Sequence, residues 1–329
     1  MLEHIAYIII GTTLLMWSAD RFTDGAAAIA RNFGVSRLIV GLTIVAIGSS
    51  APEIFVSILD SLKTCAPDKP ECGPEVAIGN ALGSNITNIA LVLGITALVR
   101  PLMINSALLK REIPILFISS AVVFFFFWDL RLSHIEGFIL LIGLVLYFFW
   151  LVHVGIQSRK NHDPMVDEMI EELPEGMPSG KAIFWVIVGL VLLVGSSKLL
   201  IEGASGIALA FGVSETVIGL TIVALGTSLP ELGASVASVL KNEHEIAIGN
   251  VIGSNIFNLL GVLGIPAAIA APVIEKDILH IDYPLMLSLI IAMAIMAYGF
   301  RGPGKINRIE GAILVAVFLG YYIVRFFVL

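Results

Sequence analysis

At 329 residues, 57% hydrophobic and 14% charged with a mean hydropathy of +0.97, the chain excludes an ordinary soluble fold and reads as an integral membrane protein. The net charge of −7 comes largely from one acidic segment, Asn161 to Gly176, and leaves no basic surface suited to nucleic acid. Apolar runs of ~20 residues, the length that crosses a bilayer, recur from end to end and predict an all-α polytopic domain.

In chain order the runs predict ten helices at about 5–31, 36–63, 75–99, 108–128, 134–157, 181–211, 215–240, 246–270, 278–300 and 306–327. The first, MLEHIAYIIIGTTLLMW, opens on an acid and reaches Asp20 without a small-residue cleavage site, so it is expected to be a span and not a removed signal peptide. A short turn, NFGVS at Asn32 to Ser36, leads into GLTIVAIGSSAPE at Gly41 to Glu53. The connection KTCAPDKPECGPE then carries the only two cysteines, Cys65 and Cys72. Two thiols closing a small loop on the outer side predict a disulfide, whereas two ligands without histidine are too few for a soft metal. AIGNALGSNITNIALVLG follows at Ala77 to Gly94. Midway, Ser158 to Gly180 holds Asp163, Asp167, Glu168, Glu171, Glu172 and Glu175 without the alternating ligands and glycine of an EF-hand. It is expected to be a solvated cytoplasmic linker.

Beyond the linker the sequence repeats. AFGVS at Ala210 to Ser214 and GLTIVALGTSLPE at Gly219 to Glu231 match the first half at an offset of 178, and AIGNVIGSNIFNLLGVLG at Ala247 to Gly264 matches at 170. Five spans per half is an odd number, so the second half enters the membrane from the opposite side, the inverted-topology arrangement of many secondary transporters. The expected units are 1–157, the acidic linker 158–180, and 181–329. With both termini outside, the inner loops collect Arg31, Arg37, Arg100, Lys110, Arg111, Arg159, Lys160, Lys181, Lys241, Arg301, Lys305 and Arg308, against Lys63, Lys69, Arg131, Lys276 and Arg325 outside. Basic residues stay cytoplasmic, which favours this orientation in an inner or plasma membrane.

Each copy of the first motif places a glutamate, Glu53 or Glu231, directly after a proline at membrane depth, where an ionisable group marks a pathway, a partner or an ion. Pro52 and Pro230 lack the N–H that would bond the carbonyls of Gly48 and Gly226, so freed carbonyls are expected beside the acids. Spacing of four residues puts Ser49 with Glu53, Thr227 with Glu231, Ser84 with Asn88 and Ser254 with Asn258 on common helix faces. Brought together, these form an all-oxygen cage suited to a hard cation such as Ca²⁺; the six histidines fall at or beyond span ends. Gly79, Gly83, Gly249 and Gly253 form GxxxG patterns and are assigned to helix packing. Asp20, Asp24, Lys198 and Glu202 lie toward helix ends and are expected in ion pairs or at the interface.

The two motif pairs resemble the α-repeats of the sodium/calcium exchanger family, within the cation/calcium exchanger superfamily, and the likeness spans essentially the whole chain. The resemblance implies Glu53 and Glu231 as principal Ca²⁺ ligands. Ser49, Thr227, Ser84, Ser254 and the carbonyls of Ala46 and Ala224 would complete the calcium and sodium sites, with Ser50 and Ser228 beside them and Asn88 and Asn258 as central amides. Some family members have aspartate where this chain has Asn258, so potassium coupling is not expected. The implied function is antiport of Na⁺ against Ca²⁺ by alternating access, with proton-coupled exchange of Ca²⁺ or another divalent cation as the alternative. The expected partners are inorganic cations and the bilayer, with no resident cofactor and no obligate protein partner. An intramembrane protease is excluded, since the serines have no histidine at membrane depth and neither HExxH nor paired aspartates occur.

Overall fold

The computed structural model describes residues 2–62, 75–104, 108–160, 177–212, 224–298 and 304–327. Cys65 and Cys72, the acidic stretch 161–176 and the start of the second motif, 213–223, lie outside them. The described residues are mostly helical. Helix α1 (Leu2–Phe33) ends in a turn at Gly34, whose φ of 63° is left-handed and suits glycine. Ser36 then accepts the Ile39 N–H at 3.3 Å and starts α2 (Arg37–Ser49), which meets α3 (Ala51–Ser61) at a 45° bend. Helix α4 (Glu75–Thr87) runs on through Asn88–Leu93 into Gly94–Val99, and strand β1 (Leu102–Met103) follows. Next come α5 (Ile113–Phe126), α6 (His134–Lys160) and α7 (Ser179–Ala210).

The second set begins with the short α8 (Ala224–Thr227) and α9 (Leu229–Leu240). Then α10 (His244–Phe257) continues through Asn258–Val262 into Gly264–Ala270, and α11 (Tyr283–Tyr298), strand β2 (Lys305–Ile306) and α12 (Arg308–Phe327) complete the chain. Among the described residues six helices are long and apolar enough to cross a membrane, or seven counting the bent α2–α3 pair. The stretch His244–Ala270 is enclosed over its central 18-residue window, while in α1, α6 and α7 most residues of the apolar window are not buried, as in lipid-facing helices.

Glycine sets where the helices touch. Gly11 of α1 packs on Ser196 and Leu200 of α7, and Gly25 on Ala182 and Val186, so the two helices run antiparallel. Adding 178 to one side and subtracting it from the other gives the remaining contacts, Gly189 on Phe22 and Gly203 on His4 and Ile8. A methyl at any of the four would stand between 2.7 and 2.9 Å from its nearest neighbour, which close helix approach cannot accommodate. The same duplication appears at Gly94 against Gly311 and Gly264 against Gly137, and in the connectors, where Met103 pairs with Lys305 and Arg131 with Val273.

The buried apolar residues fall into two groups. One joins α4, α5, α6 and α10 to α12; the smaller one holds α1 and α7 against Val40, Val45, Ala234 and Ile246. Lys241 ties the α1 unit to the end of α9, reaching Asp20 at 2.7 Å and Asp24 at 2.6 Å. Lys198 and Glu202 make no such pair among the described residues.

Candidate functional site

The two glutamate motifs each interrupt a helix one residue earlier than the proline alone requires. Ser50 (φ −81°, ψ 10°) and Ser228 (φ −89°, ψ 4°) leave helical geometry, and Pro52 and Pro230 fall in the first turn of α3 and α9. There a missing N–H has no intrahelical partner to lose, so proline is well tolerated. The expectation of a carbonyl freed at Gly48 inside a continuous helix is therefore corrected. The Ser50 N–H turns back to the carbonyls of Ala46, at 3.1 Å, and Gly48, whereas the Ser228 N–H goes to Leu225 at 3.2 Å. The break also places Glu53 and Glu231 in the first turns of new helices, where the positive end of the helix dipole favours a carboxylate.

Ser49 and Glu53 consequently do not share one unbroken helical face. The hydroxyls cross over to the other copy: Ser50 donates to the Glu231 carboxylate at 3.0 Å with Ser49 also beside it, and Thr227 faces the Glu53 carboxylate together with Ser84. Both acids are buried, and neither meets a basic side chain among the described residues. The wide turn beginning at Asn88 lies against α9, which carries Glu231, and the wide turn beginning at Asn258 lies against α3, which carries Glu53. Such π-type turns recur at functional sites because they displace a residue from the regular ladder.

The residues around the acids are fixed by asparagines that the sequence reading passed over. Asn250 donates to the Glu231 carbonyl at 3.2 Å and to Ser235 at 2.9 Å while accepting from Ser49 at 3.0 Å. Asn80, its counterpart 170 residues earlier, donates to the Glu53 carbonyl at 3.4 Å. Both stand in the repeated AIGN tetrapeptide, so the signal was the repetition of a polar residue inside an apolar segment. A second duplicated contact was also missed: Tyr147 donates to Glu112 at 3.3 Å, and Tyr321 donates to Asp282 at 2.8 Å. Offsets of 170 for the acids and 174 for the tyrosines hide this pair from a search at one spacing.

Seven buried side-chain atoms in the motif segments have no hydrogen-bond partner, Glu53 Oε2, Asn88 Oδ1, Ser228 Oγ, Glu231 Oε2, Ser254 Oγ, Asn255 Oδ1 and Asn258 Oδ1, and Ser57 Oγ, one turn beyond Glu53, is an eighth. All eight are oxygens. Buried polar atoms are normally paired, so unpartnered carboxylate, amide and hydroxyl oxygens on the helices that carry both acids leave lone pairs free for a cation. Thr227 is half-buried, and Gly249 and Gly253 pack on Leu38, Gly41 and Leu42, as their packing assignment expects; Gly79 and Gly83 meet no described neighbour. Among the described residues no group of three or more histidine, cysteine, aspartate or glutamate side chains is placed to hold a metal, and the unpartnered atoms of the motif helices are carboxylate, amide and hydroxyl oxygens, the donor types that hard cations prefer.

A helical membrane protein with two duplicated acidic motifs facing each other belongs with cation exchangers, and comparison with known proteins makes the assignment specific. The family model described as sodium/calcium exchanger protein matches residues 3–154 and 181–327, and the chain belongs to that family of membrane antiporters. It is 44% identical to the putative antiporter CaxA of Alkalimonas amylolytica over 99% of both chains. It is 31% identical to the sodium/calcium exchanger MaX1 of Methanosarcina acetivorans over 98% of both. A solved structure of the sodium-calcium exchanger NCX_Mj superposes with a TM-score of 0.78 at 30% identity, covering 98% of each chain.

Proposed function

We propose that this protein is a secondary active antiporter that exchanges Na⁺ for Ca²⁺ at a single cage between Glu53 and Glu231. The observation that carries the reading is the pair of buried acids, each with one unpartnered carboxylate oxygen, together with six further unpartnered buried oxygens on the same motif helices and no basic side chain beside the acids among the described residues. Burying two carboxylates without a counter-charge is costly, and a bound divalent cation removes that cost. The ligands in this reading are Glu53, Glu231, Ser49, Thr227, Ser84, Ser254, Asn88, Asn258 and the carbonyls of Ala46 and Ala224, with Ser50 and Ser228 adjoining. Cations are the cargo, and the chemistry needs no resident cofactor.

Two inverted five-helix halves, 1–157 and 181–329 joined by an acidic cytoplasmic linker, supply the architecture in this proposal. The antiparallel α1–α7 contacts that exchange under an offset of 178, and the crossed connectors, support it. Alternating access is the transport mode in this reading, and the smaller core that joins α1 and α7 to the site helices is consistent with it. Both termini face outward by the distribution of lysine and arginine. The test is Ca²⁺ uptake into proteoliposomes by Glu53→Gln and Glu231→Gln. Each is expected to be silent while remaining folded and inserted, because it removes half the charge that compensates a desolvated divalent ion. Coupled flux near wild type in either variant overturns the site.

A further inference from the structure

Asn258 lies among the unpartnered oxygens, yet an amide can present either its oxygen or its NH₂ to a site, and only the oxygen attracts a cation. Its orientation is set from outside the cage. The Asn258 Nδ2 donates to Asn85 Oδ1 at 3.1 Å, and the Asn85 Nδ2 in turn donates to Met286 Sδ at 3.5 Å. All three side chains are buried, Met286 and both amides at 0% exposure, so no water corrects a wrong orientation. A thioether can only accept. Met286 of α11 therefore holds the NH₂ end of Asn85, which turns the Asn85 oxygen toward Asn258, which turns the Asn258 NH₂ away and leaves its oxygen in the cage.

We infer that Met286 and Asn85 are positioning residues that set the polarity of the Asn258 ligand, and this rests on the proposed cation site. Reversing the chain would bring the Asn85 oxygen against the Met286 sulfur, two acceptors facing each other, and would aim the Asn258 N–H groups at the cation. Neither Asn85 nor Met286 bears a charge or touches the ion in this account. The repeat does not duplicate the device: Asn255, the counterpart of Asn85, donates instead to the Val251 carbonyl at 2.6 Å and leaves its own oxygen unpartnered. Polarity is thus enforced at Asn258 by a side-chain relay that reaches out to α11.

The experiment titrates Ca²⁺ onto the purified full-length protein and follows Ca²⁺ uptake for M286L in three backgrounds: wild type, N85L and N85D. Leucine keeps the volume of Met286 and removes its acceptor. In wild type it should weaken apparent Ca²⁺ affinity by about three- to tenfold, the worth of roughly one hydrogen bond, with maximal uptake rate changed less. On top of N85L it should add nothing, because Met286 acts through Asn85. On top of N85D it should also add nothing, because a carboxylate accepts at either oxygen and needs no outside acceptor to orient it. Equal losses in all three backgrounds, or none in any, overturn the inference and leave Met286 as core packing. Loss of Ca²⁺ binding in E53Q is read in parallel, so failure of the site itself is distinguished from failure of the relay.

Discussion

At the scale of single residues, the proposed cage would hold two formal charges and otherwise neutral oxygens. Glu53 and Glu231 together match one divalent ion, and Asn88 and Asn258 bring dipoles without charge. Potassium would have no carboxylate to itself. Sodium-driven Ca²⁺ uptake is accordingly expected to be unchanged when choline replaces K⁺ on both sides, and an absolute K⁺ requirement would mean that another acid reaches the site. Ser50 offers a finer test, because its hydroxyl crosses to Glu231 at 3.0 Å. Ser50→Ala should reduce apparent Ca²⁺ affinity by about ten- to hundredfold, since a hydrogen bond to a charged group contributes roughly 1.5–3 kcal/mol. An unchanged titration would show that Ser50 only packs. These two acids and their hydroxyls were legible in the sequence because they are duplicated. Which hydroxyl serves which acid was not, because the i, i+4 rule assumes a continuous helix and this one breaks between Ser49 and Ala51.

At the scale of the element, the helices that hold the site depend on glycine and on interruption. Gly41 and Gly249 face each other, and a methyl on Gly249 would stand 2.8 Å from the Leu38 carbonyl and 3.0 Å from the Gly41 Cα. Backbone atoms cannot move aside as a side-chain tip can. Gly249→Val is therefore expected to lower stability by about 1–3 kcal/mol, the usual cost of overpacking. A thermal unfolding scan in detergent checks it, and a midpoint equal to wild type would remove the close approach. Of the ten expected spans, six, or seven with the bent α2–α3 pair, are long and apolar enough among the described residues, and these were legible because apolar runs of bilayer length and repeated turns mark them. The wide turns at Asn88–Leu93 and Asn258–Val262 were not, because one extra residue per turn leaves the hydropathy pattern almost unchanged. The tyrosine–carboxylate pairs escaped for a related reason, since Glu112 and Asp282 close wide turns, Leu108–Glu112 and Ile278–Asp282, that run straight into the next helix and leave no mark in the hydropathy pattern.

At the scale of the whole molecule, duplicated contacts tie the proposed halves together while α1 and α7 share a smaller core with residues of α2, α9 and α10. The proposed orientation places Cys65 and Cys72 outside, so both should resist an external thiol reagent until a reductant is added. Labelling only from the cytoplasmic side would reverse the topology. The most direct measurement of the central claim is Ca²⁺ uptake into proteoliposomes at one clamped pH on both sides, with and without an outward Na⁺ gradient. Exchange of Na⁺ for Ca²⁺ predicts uptake that starts with the sodium gradient, collapses when sodium is equalised and is absent in Glu53→Gln. Uptake indifferent to sodium but driven by an imposed pH gradient would contradict the account and make the same two glutamates the proton sites of a proton-coupled exchanger.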